Sequence, residues 1–286
     1  MAPHLCSMPT VKRARPRRIT DQLLLVFDTE TTGLATETDR VVQFGQVSFR
    51  NGKVLLVEDV LVNPGQPIPA QASAVHNIHD SDVAGAASFA AIGVEIAQIL
   101  LAEREGEGAP LLCGYNALAY DVPLINAEFK RHGTAAAIDT AMVLDPLVWL
   151  RFYKRTWRSR TLTAVAAQFG VAFECAHRAS ADAEATGAVV HRMIELGIIP
   201  DDVDEALAKQ SEIVAILKKE ADLYGRFLYV GDGESESKSD DVLRLAFGKH
   251  AGVAVRATER GYLRWMLGLD DLPPRARSEI EAALGR

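Results

Sequence analysis

Leu23-Leu24-Leu25-Val26-Phe27-Asp28-Thr29-Glu30 decides how this 286-residue chain is read. Five apolar residues in a row are the pattern of a buried central strand. Two acids follow at once, and side chains two apart on a strand share a face, so Asp28 and Glu30 aim at one spot. Carboxylates held together repel unless a cation stands between them. The plain alternative is a polar strand end. Working outward, residues 41–50 and 53–62 are β-rich and joined by Asn51-Gly52, a strong hairpin signal. Residues 88–103 fit a helix with Phe89, Ile92, Ile96, Ile99 and Leu100 on one stripe, and 110–115 reads as a second buried strand. Helices over 122–131, 161–169 and 181–196 follow, the last two closed by Gly170 and Gly197. Three sequential strands, then alternating helices and strands, predict an α/β domain with a mixed sheet.

Two more clusters carry acids. Asn116 and Asp121 follow the strand at 110–115 and open a helix, where Asp121 has a second reading as a simple helix cap. His177 and Asp182 stand at the entry to the helix at 181–196, again with a cap and a loop residue as the plain alternative. Together these readings change weight. Four acids at strand ends and helix starts can converge at one edge of a sheet and then need divalent metal. An all-oxygen donor set selects Mg²⁺ or Mn²⁺ over Zn²⁺. Two such ions roughly 3.5–4 Å apart form a clamp for phosphodiester hydrolysis. A histidine five residues before an acid is placed to take a proton from water.

The order Asp28-x-Glu30, Asn116…Asp121, His177-x-Ala179-x-x-Asp182 resembles the three motifs of the DEDDh 3′→5′ exonucleases. That group includes the bacterial DNA polymerase III epsilon proofreading subunit, ribonuclease T and oligoribonuclease. Phe27 to Gly33 is similar to the family's first motif throughout, and Ala74-Val75-His76-Asn77-Ile78 to its His-Gly-Ile segment, with Asn77 where glycine is usual. Ile138-Asp139-Thr140 looks like the strand after the second motif. The resemblance covers residues 23–197 and implies a ribonuclease H-like fold. It implies that Asp28, Glu30, Asp121 and Asp182 hold two Mg²⁺ or Mn²⁺ ions and that His177 is the general base. Thr29, Thr31, Thr32, His76 and Asn116 are the expected substrate contacts beside them. The implied activity is release of nucleoside 5′-monophosphates from DNA 3′ ends, single-stranded by preference, in proofreading or repair, with a polymerase or repair partner. RNA is the alternative substrate, and an inactive nucleic-acid-binding scaffold the alternative role.

Between the second and third motifs, residues 149–160 hold five bases, no acid and four aromatics. Bases interleaved with rings suit a single strand, so Arg155, Trp157 and Arg158 are expected to grip substrate. An amphipathic helix with its rings in the core is the other reading. Beyond residue 198 come an acidic helical linker and a flexible low-complexity loop (199–241), then a small module (242–286). Phe247-Gly248-Lys249-His250 and the segment 261–267 resemble a tail of exodeoxyribonuclease X-like proteins. Tyr262, Leu263, Trp265 and Met266 are expected in that module's core, and Lys249 and His250 to meet a phosphate or partner.

Composition sets the outer limits. Hydrophobic residues make up 48% and charged residues 24% of the chain, ordinary for a globular protein. No apolar run approaches the roughly 20 residues of a membrane span, and three distant cysteines exclude a disulfide scaffold. The first 20 residues carry five bases and no acid, whereas 26 bases stand against 38 acids in the rest. They are expected to be a disordered basic tail, with transit-peptide character as an alternative, on a cytoplasmic protein.

Overall fold

The structure, a computed structural model, describes residues 17–104, 108–173, 178–231 and 242–285. Its axis is β1 (Leu24–Thr31), which runs on past the apolar residues and carries Asp28 and Glu30 within the strand. Antiparallel to it lies β2 (Val41–Arg50), hairpinned to β3 (Lys53–Leu61). Asn51 and Gly52 both take left-handed φ, 52° and 69°, which is the conformation a two-residue turn of this hand demands. Two short helices, α1 (Ala70–His76) and α2 (Asp80–Val83), lead into α3 (Phe89–Leu101). Then come β4 (Leu111–Cys113), α4 (Asp121–Arg131), β5 (Val143–Leu144), α5 (Pro146–Tyr153), α6 (Leu162–Phe169) and α7 (Ala179–Glu195). The sheet order is β3-β2-β1-β4-β5, with β4 and β5 parallel to β1. This is the expected mixed sheet flanked by helices.

Strand alternation divides the core into two layers. Leu24 and Val26 pack with Val189, Val190 and Met193 of α7 and with Trp149. Leu25 and Phe27 pack on the other side with Phe89 and Ile96 of α3 and Leu124, Ile125 and Phe129 of α4. Ile138-Asp139-Thr140 is not a strand: Asp139 accepts from the Ala141 N–H (2.9 Å) and caps a single 3₁₀ turn, and β5 begins only at Val143.

Two expected boundaries shift. Residues 17–20 of the expected tail are tied to the body: Ile19 is fully buried, its N–H donates to Asp201 O (2.8 Å), and Arg18 pairs with the Asp201 carboxylate at 2.6 Å. The acidic helix is no spacer either. It is α8 (Val203–Tyr224), whose Val203, Ala206 and Ile213 complete the core beneath α7 and whose Tyr224 enters a second core. There β6 (Leu228–Gly231) pairs with β7 (Val242–Leu245) beside α9 (Arg260–Met266) and α10 (Pro274–Ala283). The module therefore begins within the expected linker, and the low-complexity loop at 232–241 lies outside the described residues. Leu263 and Met266 are core as expected. Trp265 is not: a seven-residue helix buries the stripe three apart, and Trp265 lies off it, 52% exposed.

Candidate active site

The alternation that sorts the apolar half of β1 also sorts its polar half. Asp28 and Glu30 continue the Leu24 and Val26 face toward α7, while Thr29 continues the Phe27 face toward α4. The pairing with β2 slips between Glu30 and Thr31, a bulge of the kind that re-aims side chains beside active sites. In the first turn of α7, Asp182 meets the pair, and one carboxylate oxygen from each of Asp28, Glu30 and Asp182 lies within 4.8 Å of the others.

What brings α7 so close is legible in its supports. Asp28 pairs across the sheet with Gly45, and a Cβ there would stand 2.3 Å from Ser180 N and 2.4 Å from the Ala179 carbonyl carbon. The helix start rests on that bare glycine. Its first N–H groups find acceptors on the sheet, Ala179 N donating to Gln43 Oε1 (3.1 Å) and Ser180 N to Asp59 Oδ1 (2.9 Å). Asp59 Oδ2 also accepts from Ser180 Oγ and from Arg178, the residue at the N-cap position. Sequence reasoning missed Gln43, Asp59 and Gly45, because each acts only across more than a hundred residues of chain.

Asp121, 3% exposed, opens α4, with Tyr120 at the cap position. Its Oδ1 accepts from Thr29 N (3.1 Å) and Thr29 Oγ (2.6 Å), so Thr29 orients this acid rather than standing free. Burial, then Asp121, Asp182 and Glu30, push the Asp28 carboxyl well above the usual range. Burial, then Asp182 and Asp121, raise Glu30 to about 8. Burial lifts Asp121 to about 7 against the Thr29 bonds. Such a cluster fits divalent cations: every donor is an oxygen, and the carboxylates raise one another's proton affinity. The metal-free protein carries a signature of this. Glu30 and Asp121 keep protons in the folded state that they lose when unfolded, so stability falls as pH rises from their ordinary range of about 4 toward 8. Thermal melts in chelator should drop between about pH 5.5 and pH 8.5, and Mn²⁺ should remove the trend. A melting temperature that rises over this interval would contradict the cluster's geometry.

A pocket of about 590 Å³ opens beside Glu30, lined by Thr31, Thr32, Leu34, Val75, His76 and Tyr120 among others. The Thr31 and Tyr120 hydroxyls and Gly33 O lie within hydrogen-bond reach of one another, and the two hydroxyl protons serve two of the three contacts, at least one of them to Gly33 O. Thr32 Oγ donates to Asp39 (2.8 Å) and is buried. The buried His76 accepts from Ile78 N at Nδ1 (3.1 Å), which leaves Nε2 to donate to Thr31 O (3.2 Å). These three residues, expected as substrate contacts, hold the pocket's backbone. The free apolar surface comes from Leu34 and Val75, 87% and 54% exposed, which sequence reasoning passed over.

Asn116, with φ of 64°, sits in the loop before Asp121 and accepts from Arg151 at 3.3 Å. Asp145 fixes that loop by accepting from the Asn116, Leu118 and Leu147 N–H groups, although burial still raises its carboxyl to about 6. The expected grip residues divide. Arg155 turns inward to Glu220 (2.7 Å), and Trp157 packs against Phe169, their ring centroids 5.7 Å apart; only Arg158 is exposed. Arg155 is thereby a structural cation, its charge answered within the fold. His177 lies outside the described residues.

A family model described as exonuclease (RNase_T) matches residues 25–190. Among curated relatives, the DNA polymerase III PolC-type protein of Lacticaseibacillus paracasei is 32% identical over 186 residues, 65% of this chain and 12% of the relative. That of Listeria innocua is 30% identical over 175 residues, 61% of this chain and 11% of the relative. The chain thus spans about an eighth or less of the relatives' length. Among solved structures, the zinc-bound form of the E. coli exonuclease I–single-stranded DNA complex aligns with a TM-score of 0.56 at 15% identity, covering 88% of this chain and 60% of that one. Exonuclease I of Methylocaldum szegediense gives 0.54 at 18%, covering 78% and 50%. At these identities the structural likeness speaks to the fold.

Proposed function

The chain belongs to the exonuclease family, and from that premise we propose that it is a metal-dependent 3′→5′ exonuclease releasing nucleoside 5′-monophosphates from single-stranded 3′ ends of DNA. One observation carries the reading: Asp28, Glu30 and Asp182 offer oxygens within 4.8 Å of one another at the rim of the sheet, with Asp121 beside them. These four acids are the holders of two Mg²⁺ or Mn²⁺ ions. Bound there, the ions supply the positive charge that eases ionisation of a water and balances the leaving oxygen. The acids fix where that charge stands. His177 is the general base that takes the water's proton as the water oxygen bonds to phosphorus; the P–O3′ bond breaks, and the leaving O3′ takes up a proton from solvent to become the new 3′-hydroxyl of the shortened strand. Leu34 and Val75 offer apolar surface to the terminal base, and Tyr120 with His76 keeps the pocket in shape. DNA is the preferred substrate because the relatives are DNA polymerases by name, and proofreading or repair, beside a polymerase in the cytoplasm, is the corresponding setting.

The test is digestion of matched 3′-labelled single-stranded DNA, duplex DNA and RNA with Mg²⁺ or Mn²⁺. Expected is release of labelled 5′-monophosphate from single-stranded DNA first. Rapid loss of RNA with DNA untouched would make the protein an exoribonuclease, and no release from any substrate would make it a scaffold.

A further inference from the structure

We propose that the C-terminal module is the second wall of a track that holds the single polynucleotide strand behind the 3′ end being cut. This rests on the exonuclease reading above and extends it to a part of the chain outside the matched residues.

The track begins in a cleft of about 900 Å³ between the two cores. Arg151 and Arg160 line it from the exonuclease side, and Arg226, Tyr229 and Phe247 from the module. Its charge is lopsided. Glu220 answers Arg155 with two contacts, at 2.7 and 3.2 Å, and Arg226 meets Asp271 at the exposed rim. Among the described residues, no carboxylate comes within 4 Å of Arg151 or Arg160. Arg160 is clamped by the carbonyls of Lys154, Arg155 and Trp157, so it cannot swing away to water. Cations fixed side by side without a counter-charge call for an anion, and a run of phosphates supplies one at each step.

The cleft connects to the chemistry at one end and to rings at the other. Arg151 donates to Asn116 (3.3 Å), five residues before Asp121, and the Tyr115 hydroxyl donates to Arg160 O (2.5 Å). At the far end Phe247 lies 6.4 Å from Trp265, which lies 5.0 Å from Tyr262, with Lys249 Nζ 6.0 Å from the Tyr262 ring. A half-exposed indole beside the Tyr262 ring, with Lys249 held 3.6 Å from Glu259 over that ring, is a place for a base to stack. Phosphate cations followed by base-stacking rings match a single strand. A free mononucleotide would use only one end.

The test uses full-length protein carrying Asp182→Asn to stop cleavage. Its affinity is measured for a thymidine 20-mer, a uridine 20-mer, a thymidine trimer and a blunt duplex, across a salt series. The further variants are Arg151→Gln with Trp265→Ala, and Arg151→Gln alone in case the pair disturbs folding. The double variant should bind both 20-mers at least tenfold more weakly. Its log–log salt slope should be shallower by about 0.7 for the single cation removed. The ratio of 20-mer to trimer affinity should collapse, and Trp265→Phe should restore most of the stacking part. An unchanged length ratio in both variants would overturn the track while leaving the exonuclease reading intact. Failure of the Asp182→Asn parent to bind any strand would overturn both. A loss confined to the blunt duplex would overturn the single-strand assignment.

Discussion

Asp182→Asn will lower turnover about 10³-fold and will also raise the melting temperature of the metal-free protein. The two effects share one cause. Asp182, Glu30 and Asp28 hold their oxygens within 4.8 Å of one another, so each charge attracts cations and repels its neighbours. Stabilising the transition-state charge through a divalent ion is worth several kcal/mol. Each ~1.36 kcal/mol is tenfold in rate, so weakening the site by one charge amounts to about three orders of magnitude. Without metal the account reverses. Burial and then Asp182 hold the Glu30 carboxyl up at about 8, so a neutral amide at position 182 relieves the cluster. Steady-state rates in Mn²⁺, with melting curves in chelator, test both halves. Near-normal turnover would remove Asp182 from the site, and a lower melting temperature would mean that the cluster's repulsion is not what limits the metal-free fold.

Gly45→Ala will damage catalysis although Gly45 touches no substrate. Its Cβ would stand 2.3 Å from Ser180 N and 2.4 Å from the Ala179 carbonyl carbon, both backbone atoms with no rotamer to give way. Either β2 bends or α7 lifts, and overpacking of this kind costs about 1–3 kcal/mol. Lifting α7 carries Asp182 away from Asp28, and a misplacement of about 1 Å at a reacting centre costs roughly 10²-fold. The same movement stretches the bonds from Ala179 to Gln43 and from Ser180 to Asp59. The expected result is a turnover about 10²-fold lower, weaker Mn²⁺ binding in calorimetry, and a melting temperature lower by several degrees. Wild-type Mn²⁺ affinity with reduced turnover would place the damage elsewhere than in the Asp28–Asp182 geometry.

Much of the framework was readable from local pattern. The apolar run into Asp28, the Asn51-Gly52 turn and the helix stops at Gly170 and Gly197 are decided by residues next to one another in sequence. Asp28, Glu30 and Asp182 were readable only together, because each alone has a structural use as a strand end or helix cap and their convergence on one spot does not. What was hidden depends on distant partners. The charge of Arg155 was visible, but not that Glu220, 65 residues on, would claim it. Trp265 looked apolar enough for a core, yet a helix of seven residues buries only the stripe of Leu263 and Met266. Ile19 stood among arginines and read as part of a tail, although its backbone joins Asp201 to seal one end of the domain.

Helix α8 has a consequence for how digestion ends. Its 22 residues contain no glycine or proline, and it is anchored in the exonuclease core by Ile213 and in the module core by Tyr224. At ~1.5 Å per residue it is a strut of about 33 Å, packed on the exonuclease core as far as Leu217 and entering the module core from Leu223, so the module is held at a set place beside that core, not on a hinge. The skeleton therefore acts as a ruler. While a strand is long enough to reach the module, each cut leaves it held for the next. On the track proposed above, a strand too short to reach the module is retained by the active-site pocket alone, so the expected pattern is continuous trimming that gives way to single encounters, with short oligonucleotides the slowest substrates.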